Sequence, residues 1–424
     1  MKLAVIGAGS TYTPELVSGL TREAESFQID ELVLHDIDPV RREVVGGLAE
    51  RMLERQGFAG DLLVTGEIDR ALAGADKILI QIRVGGQQAR LRDETIPAAC
   101  GCIGQETTGA GGLAKAMRTV PVVLGIARRA REIANPGHWL VDFTNPVGIV
   151  TRALLDDGHR AIGLCNVAIN FQRQFARHLG LPPDAVRVDQ VGLNHLTWIR
   201  SVMVDGRDVL SDIIDGYGDT LAAEIGLPRA IFDDLGAIPS YYLRYFYAER
   251  EVIAEQKTEP PRAQTVMEIE SGLLNMYRDP NLSEKPALLE QRGGAFYSEA
   301  AIQLVRSLET DSGEVQVVDI RNNGTLAGLR DDDVVEVPAR ITSAGAQPLS
   351  QEPLKPELLG LVQHVSAYER LAKQAAAGGD PRLARMALLA NPLVREYGIS
   401  GELLELELLR RPDGGGPNQR GPDR

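Results

Sequence analysis

The stretch VIGAGSTYTPEL, residues 5–16, decides the fold class that the sequence predicts. Gly7 and Gly9 directly follow an apolar, strand-like run, and a helical segment begins just after them. Glycines in this position let backbone N–H groups approach a pyrophosphate at the amino terminus of the helix. Tyr12 occupies the place of the third glycine of the usual dinucleotide fingerprint. The stretch, with Ser10, therefore predicts a dinucleotide-binding turn, and the alternative is a glycine-rich turn without a ligand.

Apolar runs continue to alternate with helical stretches up to residue 165. We predict strands at residues 2–6, 32–38, 77–82, 139–144 and 161–165. Because these strands are apolar nearly throughout and are joined by helices, they indicate a parallel sheet that is covered on both faces. The predicted fold class is therefore α/β, with a Rossmann-like doubly wound parallel sheet domain over residues 1–165. Ligands of such a sheet bind at the carboxyl ends of its strands.

The pattern changes in the second part of the chain. Alternating segments predict two strand pairs, with turns at Asp205–Gly206 and Asn323–Gly324, and several helical stretches lie between the pairs. We predict an α+β domain over residues 166–410 that packs against the first domain around a cleft. Residues 411–424 contain too few apolar groups to offset the entropy of ordering, which predicts a disordered tail.

Charge and composition exclude some classes of partner. The formal net charge of −14 at pH 7 repels phosphodiester backbones and anionic lipid, so we expect neither nucleic-acid nor membrane-surface binding. The amino terminus lacks the apolar core of a signal peptide, and we expect no run of the roughly 20 apolar residues that span a membrane. The three cysteines, at positions 100, 102 and 165, make a disulfide framework implausible. These features predict a cytoplasmic protein.

Asp36 ends the second predicted strand, at about the distance expected for a carboxylate that accepts from an adenosine ribose hydroxyl. Its charge would repel a 2′-phosphate, which favours NAD over NADP. The alternative is that Asp36 is a helix cap or a turn residue without a cofactor role.

A long polar segment follows the third predicted strand, at residues 82–112. Arg83, Arg90 and Glu106 are among the charged side chains that are interleaved with glycines there. The segment is either a solvated surface loop or a loop that faces a substrate at the carboxyl edge of the sheet. In the second case its arginines would supply the positive charge that an anionic substrate requires.

Three further residues carry chemistry that a catalytic site can use. Cys165 ends the last strand of the first domain and His195 closes a short strand, and a thiolate with an imidazole suits a divalent transition metal that keeps open positions. The alternatives are a small core residue and a hydrogen-bonded structural histidine. Tyr242 lies in the aromatic segment 241–247. It is either a core residue or a general base whose pKa is lowered by nearby cations such as Arg262.

Taken together, these stretches resemble glycoside hydrolase family 4, the NAD- and manganese-dependent glycosidases. The matching segments run in order from residue 7 to about residue 301 and include GAGSTYTPEL, LHDID, GQETTGAGG, DFTNPVGI, GLCN, GLNH, YYLRYF, PRAQTVMEIE and RGGAFYSEAA. The resemblance implies a homodimer or homotetramer in which residues 166–410 bind substrate and metal and carry the oligomer contacts.

The resemblance also implies roles for single residues. NAD would bind at Gly7, Gly9, Ser10 and Asp36. Mn²⁺ would be held by Cys165 and His195. The substrate, a phosphorylated disaccharide or β-glucoside, would be bound by Arg90, Asn145, Asn166 and Arg262, together with Arg83 and Glu106 of the polar segment. Tyr242 would be the catalytic base.

The implied reaction is the hydrolysis of 6-phospho-β-glucosides to glucose 6-phosphate and an aglycone or sugar. NAD would oxidise carbon 3, Tyr242 would remove the proton from carbon 2, and elimination and water addition would follow. Asn166 favours the β anomer, because α-specific relatives typically have an aspartate there that protonates the leaving group. The rival functions are an NAD-dependent hydroxy-acid dehydrogenase and a non-catalytic NAD-binding sensor.

Overall fold

One mixed sheet runs through the part of the chain that the computed structural model describes, residues 1–22, 27–294 and 296–405. Its strands are β1 (Lys2–Ile6), β2 (Glu31–His35), β3 (Asp61–Thr65), β4 (Lys77–Ile80), β5 (Trp139–Asp142), β6 (Ala161–Gly163), β7 (Val186–Leu193), β8 (Leu196–Val204), β9 (Arg207–Asp208), β10 (Ile238–Pro239), β11 (Val315–Arg321), β12 (Val334–Thr342) and β13 (Gly345–Pro348). They are ordered β10-β8-β7-β12-β11-β6-β5-β4-β1-β2-β3, with β9 beside β8 and β13 beside β12. The predicted tail at residues 411–424 lies outside the described residues.

Six of these strands form the predicted doubly wound sheet. β3, β2, β1, β4, β5 and β6 are parallel neighbours in that order. Leu3, Ala4 and Val5 of β1 are fully buried, as continuous apolar runs predict for a sheet covered on both faces. The predicted α/β class with a Rossmann-like sheet is confirmed. Strand β3 was not predicted, because its apolar run is only the three residues LLV.

The strands of the second half continue the same sheet. β11 pairs antiparallel with β6 at Asp319 and Gly163, and β12, β7, β8 and β10 extend the sheet from there. The predicted Asp205–Gly206 turn is present, but it joins β8 only to the two-residue β9. The long hairpin β7–β8 instead turns at Asn194–His195, and the sequence signal was missed because Asp-Gly is the stronger local turn pair.

Helices cover both faces of the sheet. They are α1 (Thr13–Arg22), α2 (Pro39–Arg55), α3 (Ile68–Leu72), α4 (Gly86–Ala99), α5 (Gly109–Ile133), α6 (Val147–Asp156), α7 (Val167–Leu179), α8 (Leu210–Ile225), α9 (Ala230–Leu235), α10 (Arg244–Tyr247), α11 (Glu249–Gln256), α12 (Arg262–Tyr277), α13 (Tyr297–Thr310), α14 (Pro356–Gly378), α15 (Pro381–Leu389) and α16 (Tyr397–Glu405).

Helix α5 has the length and the mean hydropathy, 1.2, of a membrane-spanning helix. The prediction that no run has these properties is therefore wrong for length and composition. In the fold, however, 72% of its most apolar stretch is buried inside the protein. A helix that is apolar on nearly all sides and buried by other elements is packed as a core helix.

A second apolar cluster lies beside the main core and anchors the region that follows β6. Cys165 belongs to this cluster, together with Phe171 and Phe175 of α7 and Ile199 of β8. Cys165 comes two positions after the end of β6. It therefore lies where the parallel part of the sheet meets its antiparallel extension.

Candidate active site

A cavity of about 870 Å³ opens at the carboxyl ends of the parallel strands and is lined by residues from both halves of the chain. It contains eleven of the thirteen predicted site residues, so most of the predicted constellation shares one space. These are Gly7, Gly9, Ser10, Asp36, Arg83, Arg90, Glu106, Asn145, Asn166, Tyr242 and Arg262. The other two, Cys165 and His195, do not line the cavity and are only 4% and 3% exposed.

The glycine turn after β1 is shaped to leave backbone at the cavity surface. Gly7 has a φ of 93°, which side chains rarely adopt, and a Cβ on Gly9 would lie 2.6 Å from Cγ of Asp36. Asp36 accepts hydrogen bonds from the backbone N–H of Gly9 at 2.7 Å and of Asp38 at 2.9 Å. The cap of α2 is Asp38, which accepts from two backbone N–H groups of the first turn. Asp36 is therefore a turn residue beside the glycines and is not a helix cap.

The arginines of the polar segment are neutralised by carboxylates. Arg83 forms a bidentate pair with Glu106, and Arg90 Nε lies 2.7 Å from Glu94 Oε1 and 3.2 Å from Glu106 Oε1. Lys115 Nζ lies 2.6 Å from Glu106 Oε2. Burial alone would raise the pKa of Glu106, but these three cations outweigh it and hold the pKa well below its usual range. Glu106 is therefore an anion that orders the cations around it.

Arg262 differs from the other arginines that line the cavity. Its Nη2 donates to the backbone carbonyls of Gln291 at 3.2 Å and Arg292 at 3.4 Å. Within residues 1–22, 27–294 and 296–405, no carboxylate pairs with it, and its side chain is exposed at the start of α12. Neutral carbonyls leave its charge uncompensated, so Arg262 is suited to an anionic group of a ligand.

The Nε2 atom of His195 is the ring nitrogen that could bind a metal. Its backbone has a φ of 62°, an unusual conformation for a side-chain-bearing residue and one that recurs at functional sites. Nδ1 lies 3.0 Å from Oγ1 of Thr107, and the same hydroxyl donates to Gln105 Oε1 at 2.8 Å. The hydroxyl therefore accepts from Nδ1–H, which leaves the lone pair on Nε2. Burial, followed by the charge of Lys115, lowers the pKa of His195 to about 3, so the ring is neutral.

Cys165 and two tyrosines surround this position. The ring of Tyr242 stacks on the imidazole of His195, with centroids 3.6 Å apart and planes 7° apart. Burial raises the pKa of the Cys165 thiol well above its usual range, and the hydroxyl of Tyr297 contacts it. Burial, and next the charge of a Cys165 thiolate, raises the pKa of Tyr242. A cation bound by Cys165 and His195 would therefore favour both the thiolate and the phenolate.

The donor set fits a divalent transition metal. A thiolate and a neutral imidazole are suitable ligands, and His195 already has the hydrogen-bonded partner that metal-binding histidines require. In the part of the chain that the structure describes, no cluster of three or more His, Cys, Asp or Glu side chains is arranged to hold a metal. Two protein donors would leave the remaining positions to oxygen atoms of a bound sugar.

Tyr297 and Lys115 are cavity residues that sequence reasoning missed as site residues. Tyr297 lines the cavity and is hydrogen-bonded to the side chains of Asn145 and Cys165. Oδ1 of Asn145 is buried without a hydrogen-bond partner in the described residues. The segment RGGAFYSEAA contains Tyr297, but nothing in it indicates that this residue contacts Cys165.

Comparison with known proteins covers nearly the whole chain. Residues 2–181 match the model of family 4 glycosyl hydrolase, and residues 190–394 match the model of the family 4 glycosyl hydrolase C-terminal domain. A probable 6-phospho-β-glucosidase of Bacillus subtilis (strain 168) is 40% identical over 420 residues, which cover 96% of this chain and 95% of that protein.

Solved structures agree with the sequence comparison. The structure of the 6-phospho-β-glucosidase from Thermotoga maritima with NAD and glucose-6-phosphate has a TM-score of 0.90 and 37% identity, and the match covers 96% of this chain and 98% of that one. A second structure from that organism, with manganese, NAD⁺ and glucose-6-phosphate, has a TM-score of 0.89 and 36% identity over 96% and 97% of the two chains. The resemblance seen in the sequence is confirmed, and the chain belongs to family 4 of the glycosyl hydrolases.

Proposed function

We propose that this protein hydrolyses 6-phospho-β-glucosides with NAD and a divalent metal, Mn²⁺, as cofactors. The observation that carries the proposal is the composition of one cavity. It combines a glycine turn fixed by Asp36, an arginine that bonds to backbone carbonyls and to no carboxylate of the described residues, and a tyrosine stacked on a buried neutral imidazole. The presence of NAD, manganese and glucose-6-phosphate in structures of the Thermotoga maritima relative supports it.

The cofactors divide the chemistry between them. NAD would supply reversible hydride transfer at carbon 3 of the sugar, and Mn²⁺, held by Cys165 and His195, would supply a Lewis acid. Gly7, Gly9 and Ser10 would bind the pyrophosphate, and Asp36 would accept from the adenosine ribose. Oxidation of carbon 3 makes the hydrogen on carbon 2 acidic, so the leaving group departs by elimination.

Tyr242 would remove the proton from carbon 2. In the free protein burial raises the pKa of its hydroxyl well above the usual value. A cation held by the stacked His195 and by Cys165 would lower this pKa, because an opposite charge nearby favours the phenolate. The base would therefore become active only when the metal is bound, and Tyr242 needs no carboxylate partner.

The substrate's charge and anomeric form follow from three polar side chains. Arg262 would bind the 6-phosphate through its guanidinium. Asn145 would offer a sugar hydroxyl its buried carbonyl oxygen, which has no hydrogen-bond partner among the described residues. Asn166 lines the cavity, and α-specific relatives typically have at this position an aspartate that protonates the leaving group. Because an amide cannot act as that acid, we propose the β anomer as substrate.

An assay with a chromogenic aryl β-glucoside 6-phosphate tests the proposal. Hydrolysis should require NAD, Mn²⁺ and a thiol reductant, and the product should carry deuterium at carbon 2 when the solvent is deuterated water. The α-linked 6-phosphate and the unphosphorylated β-glucoside should both be poor substrates. Hydrolysis that continues unchanged without NAD and after metal chelation would contradict the mechanism.

The same assay separates the rival functions. A hydroxy-acid dehydrogenase would accumulate NADH with its substrate and would not need a metal, whereas a sensor would bind NAD and cleave nothing. We also propose a cytoplasmic location, which the three cysteines support because all are free thiols. A homodimer or homotetramer is proposed by analogy with the family, and sedimentation velocity tests it.

A further inference from the structure

A buried acidic side chain is hydrogen-bonded to the hairpin that carries His195. Glu336 on β12 is 1% exposed and pairs across the sheet with Gly192 on β7. Its Oε1 accepts from Gln190 Nε2 at 2.6 Å, and its Oε2 accepts from Asn194 Nδ2 at 2.9 Å. One carboxylate therefore joins the end of β7 to the turn that follows it.

The turn matters because the residue after Asn194 is His195, the proposed metal ligand. His195 keeps its left-handed backbone only where the surroundings hold it, because this conformation is unfavourable for a residue with a side chain. Thr107 fixes the ring through Nδ1, but it does not fix the backbone from which the ring projects. Among the described residues, Glu336 is the only hydrogen-bond partner of the Asn194 side chain.

We propose that Glu336 is a positioning residue, which sets the metal-binding orientation of His195 through Asn194. The inference rests on the proposed function, because it assumes that His195 ligates Mn²⁺. Glu336 itself lies one hydrogen bond and one residue away from the ligand and would not touch the metal or the sugar. Partners of this kind typically change metal affinity when they are replaced.

Glu336 acts in this arrangement through two oxygens that both accept. Both neighbours present an amide NH₂ group, so each oxygen of Glu336 must accept. Glu336→Gln keeps the shape but places an NH₂ group against one of the two donors. The turn then loses one of its anchors, while the sheet pairing of β7 with β12, which uses the backbone, is unchanged.

Titration of the full chain with Mn²⁺, followed by the electron paramagnetic resonance signal of the free ion, tests the proposal, and NAD⁺ binding is measured in parallel by calorimetry. Glu336→Gln should raise the dissociation constant for Mn²⁺ about tenfold or more and leave that for NAD⁺ nearly unchanged. Hydrolysis should return at high Mn²⁺ concentration, which a loss of catalytic groups would not allow.

Asp319→Asn is the matched control. Asp319 faces Glu336 directly in the β11–β12 register and is equally buried, but neither of its oxygens has a hydrogen-bond partner in the described part of the chain. Asp319→Asn makes the same carboxyl-to-amide change opposite Glu336 and removes no hydrogen bond to the turn. The Mn²⁺ affinity of Asp319→Asn should stay close to that of the wild type.

Asn194→Ala removes the other end of the same hydrogen bond. It should weaken Mn²⁺ binding to a similar extent, and the double variant should be no weaker than the single ones. Wild-type Mn²⁺ affinity in folded Glu336→Gln, or in Asn194→Ala if Glu336→Gln does not fold, would overturn the proposal. A wild-type protein that binds no Mn²⁺ would instead overturn the proposed function.

Discussion

At the scale of single residues, charge balance separates the arginines of the cavity. Arg83 and Arg90 pair with carboxylates, whereas Arg262 meets only backbone carbonyls in the part of the chain that the structure describes. An arginine already paired with Glu106 attracts a second anion only weakly, because the first carboxylate largely neutralises its charge. The phosphate of a substrate should therefore depend more on Arg262 than on the two arginines of the polar segment.

Arg262→Gln should raise KM for an aryl β-glucoside 6-phosphate about tenfold to a hundredfold, the effect of one charge-assisted hydrogen bond. Steady-state kinetics with NAD and Mn²⁺ measure the change. Arg278→Gln at the other end of α12 is the control, because Arg278 is exposed and bonds only to the nearby Asn275 in the described residues. An equal loss toward the unphosphorylated glucoside would speak against phosphate binding by Arg262.

Tyr242→Phe should lower kcat about a hundredfold to ten-thousandfold, because it removes the base but keeps the ring that stacks on His195. Binding of NAD and Mn²⁺ should persist, as calorimetry would show. Deuterium should no longer enter carbon 2 of the bound sugar. The control is Tyr241→Phe, whose hydroxyl bonds to Gln174; a similar loss in both variants would make the effect structural.

Sequence reasoning found these residues because each stands beside a local signal. Asp36 follows a strand, and Arg83 and Glu106 lie in a glycine-rich segment. Tyr297 was missed because its contact with Cys165 joins two segments that are far apart in the chain. The pairing of Arg83 with Glu106 was missed for a related reason, since composition predicts charged groups but not which of them neutralise each other.

At the scale of elements, the turn between β1 and α1 depends on the absence of a side chain at Gly9. A methyl group there would lie 2.6 Å from Cγ of Asp36 and 2.9 Å from Cβ of Arg41. Gly9→Ala should therefore displace Asp36, weaken NAD binding by at least tenfold, and destabilise the fold by about 1–3 kcal/mol. Calorimetry of NAD binding and urea unfolding measure the two effects.

Gly125→Ala is the control for that substitution. Gly125 lies in helix α5, is exposed, and has no atom within 4 Å of an added methyl group. Alanine in such a helical position should stabilise the protein by about 0.5–1 kcal/mol and leave NAD binding unchanged. Equal NAD affinity in both variants would contradict the tight contact between Gly9 and Asp36.

The elements were predictable to the extent that their signals are local. Parallel strands such as β1 and β4 are continuous apolar runs, and these fixed the fold class. The antiparallel extension was predicted only as separate strand pairs, because the register of Asp319 on Gly163 joins segments that are distant in sequence. The turn at Asn194–His195 carries no glycine, and only the fold reveals that a histidine has a positive φ there.

At the scale of the whole molecule, one sheet runs through both halves of the chain, and buried carboxyl groups lie where the halves meet. Burial raises the pKa of Glu336 and of Glu369 to about 7, and Glu369 on α14 also faces Arg152 of α6. Such groups are protonated in the folded protein at a pH where the unfolded chain has already lost its protons. Their contribution to stability is therefore present below pH 4.5 and is lost as the pH rises through 7.

Glu369→Gln should make the protein less sensitive to this rise in pH. Relative to the wild type, its free energy of unfolding should increase by roughly 3 kcal/mol between pH 4.5 and pH 8, since Gln cannot ionise. The comparison uses the difference between the proteins because buried histidines act in the opposite sense. The pKa of His195 is lowered to about 3, so its contribution is present above pH 6.5 and is lost as the pH falls.

Urea unfolding at a series of pH values measures that difference, with Glu357→Gln on the same helix as the control. Glu357 is exposed to solvent, so its replacement should shift stability by no more than about 0.5 kcal/mol at any pH. A difference between Glu369→Gln and the wild type that stays constant with pH would mean that Glu369 is ionised in the folded protein throughout. In that case the charge of Arg152 fully offsets the cost of burying the Glu369 carboxylate, and the two residues form an ion pair between α6 and α14.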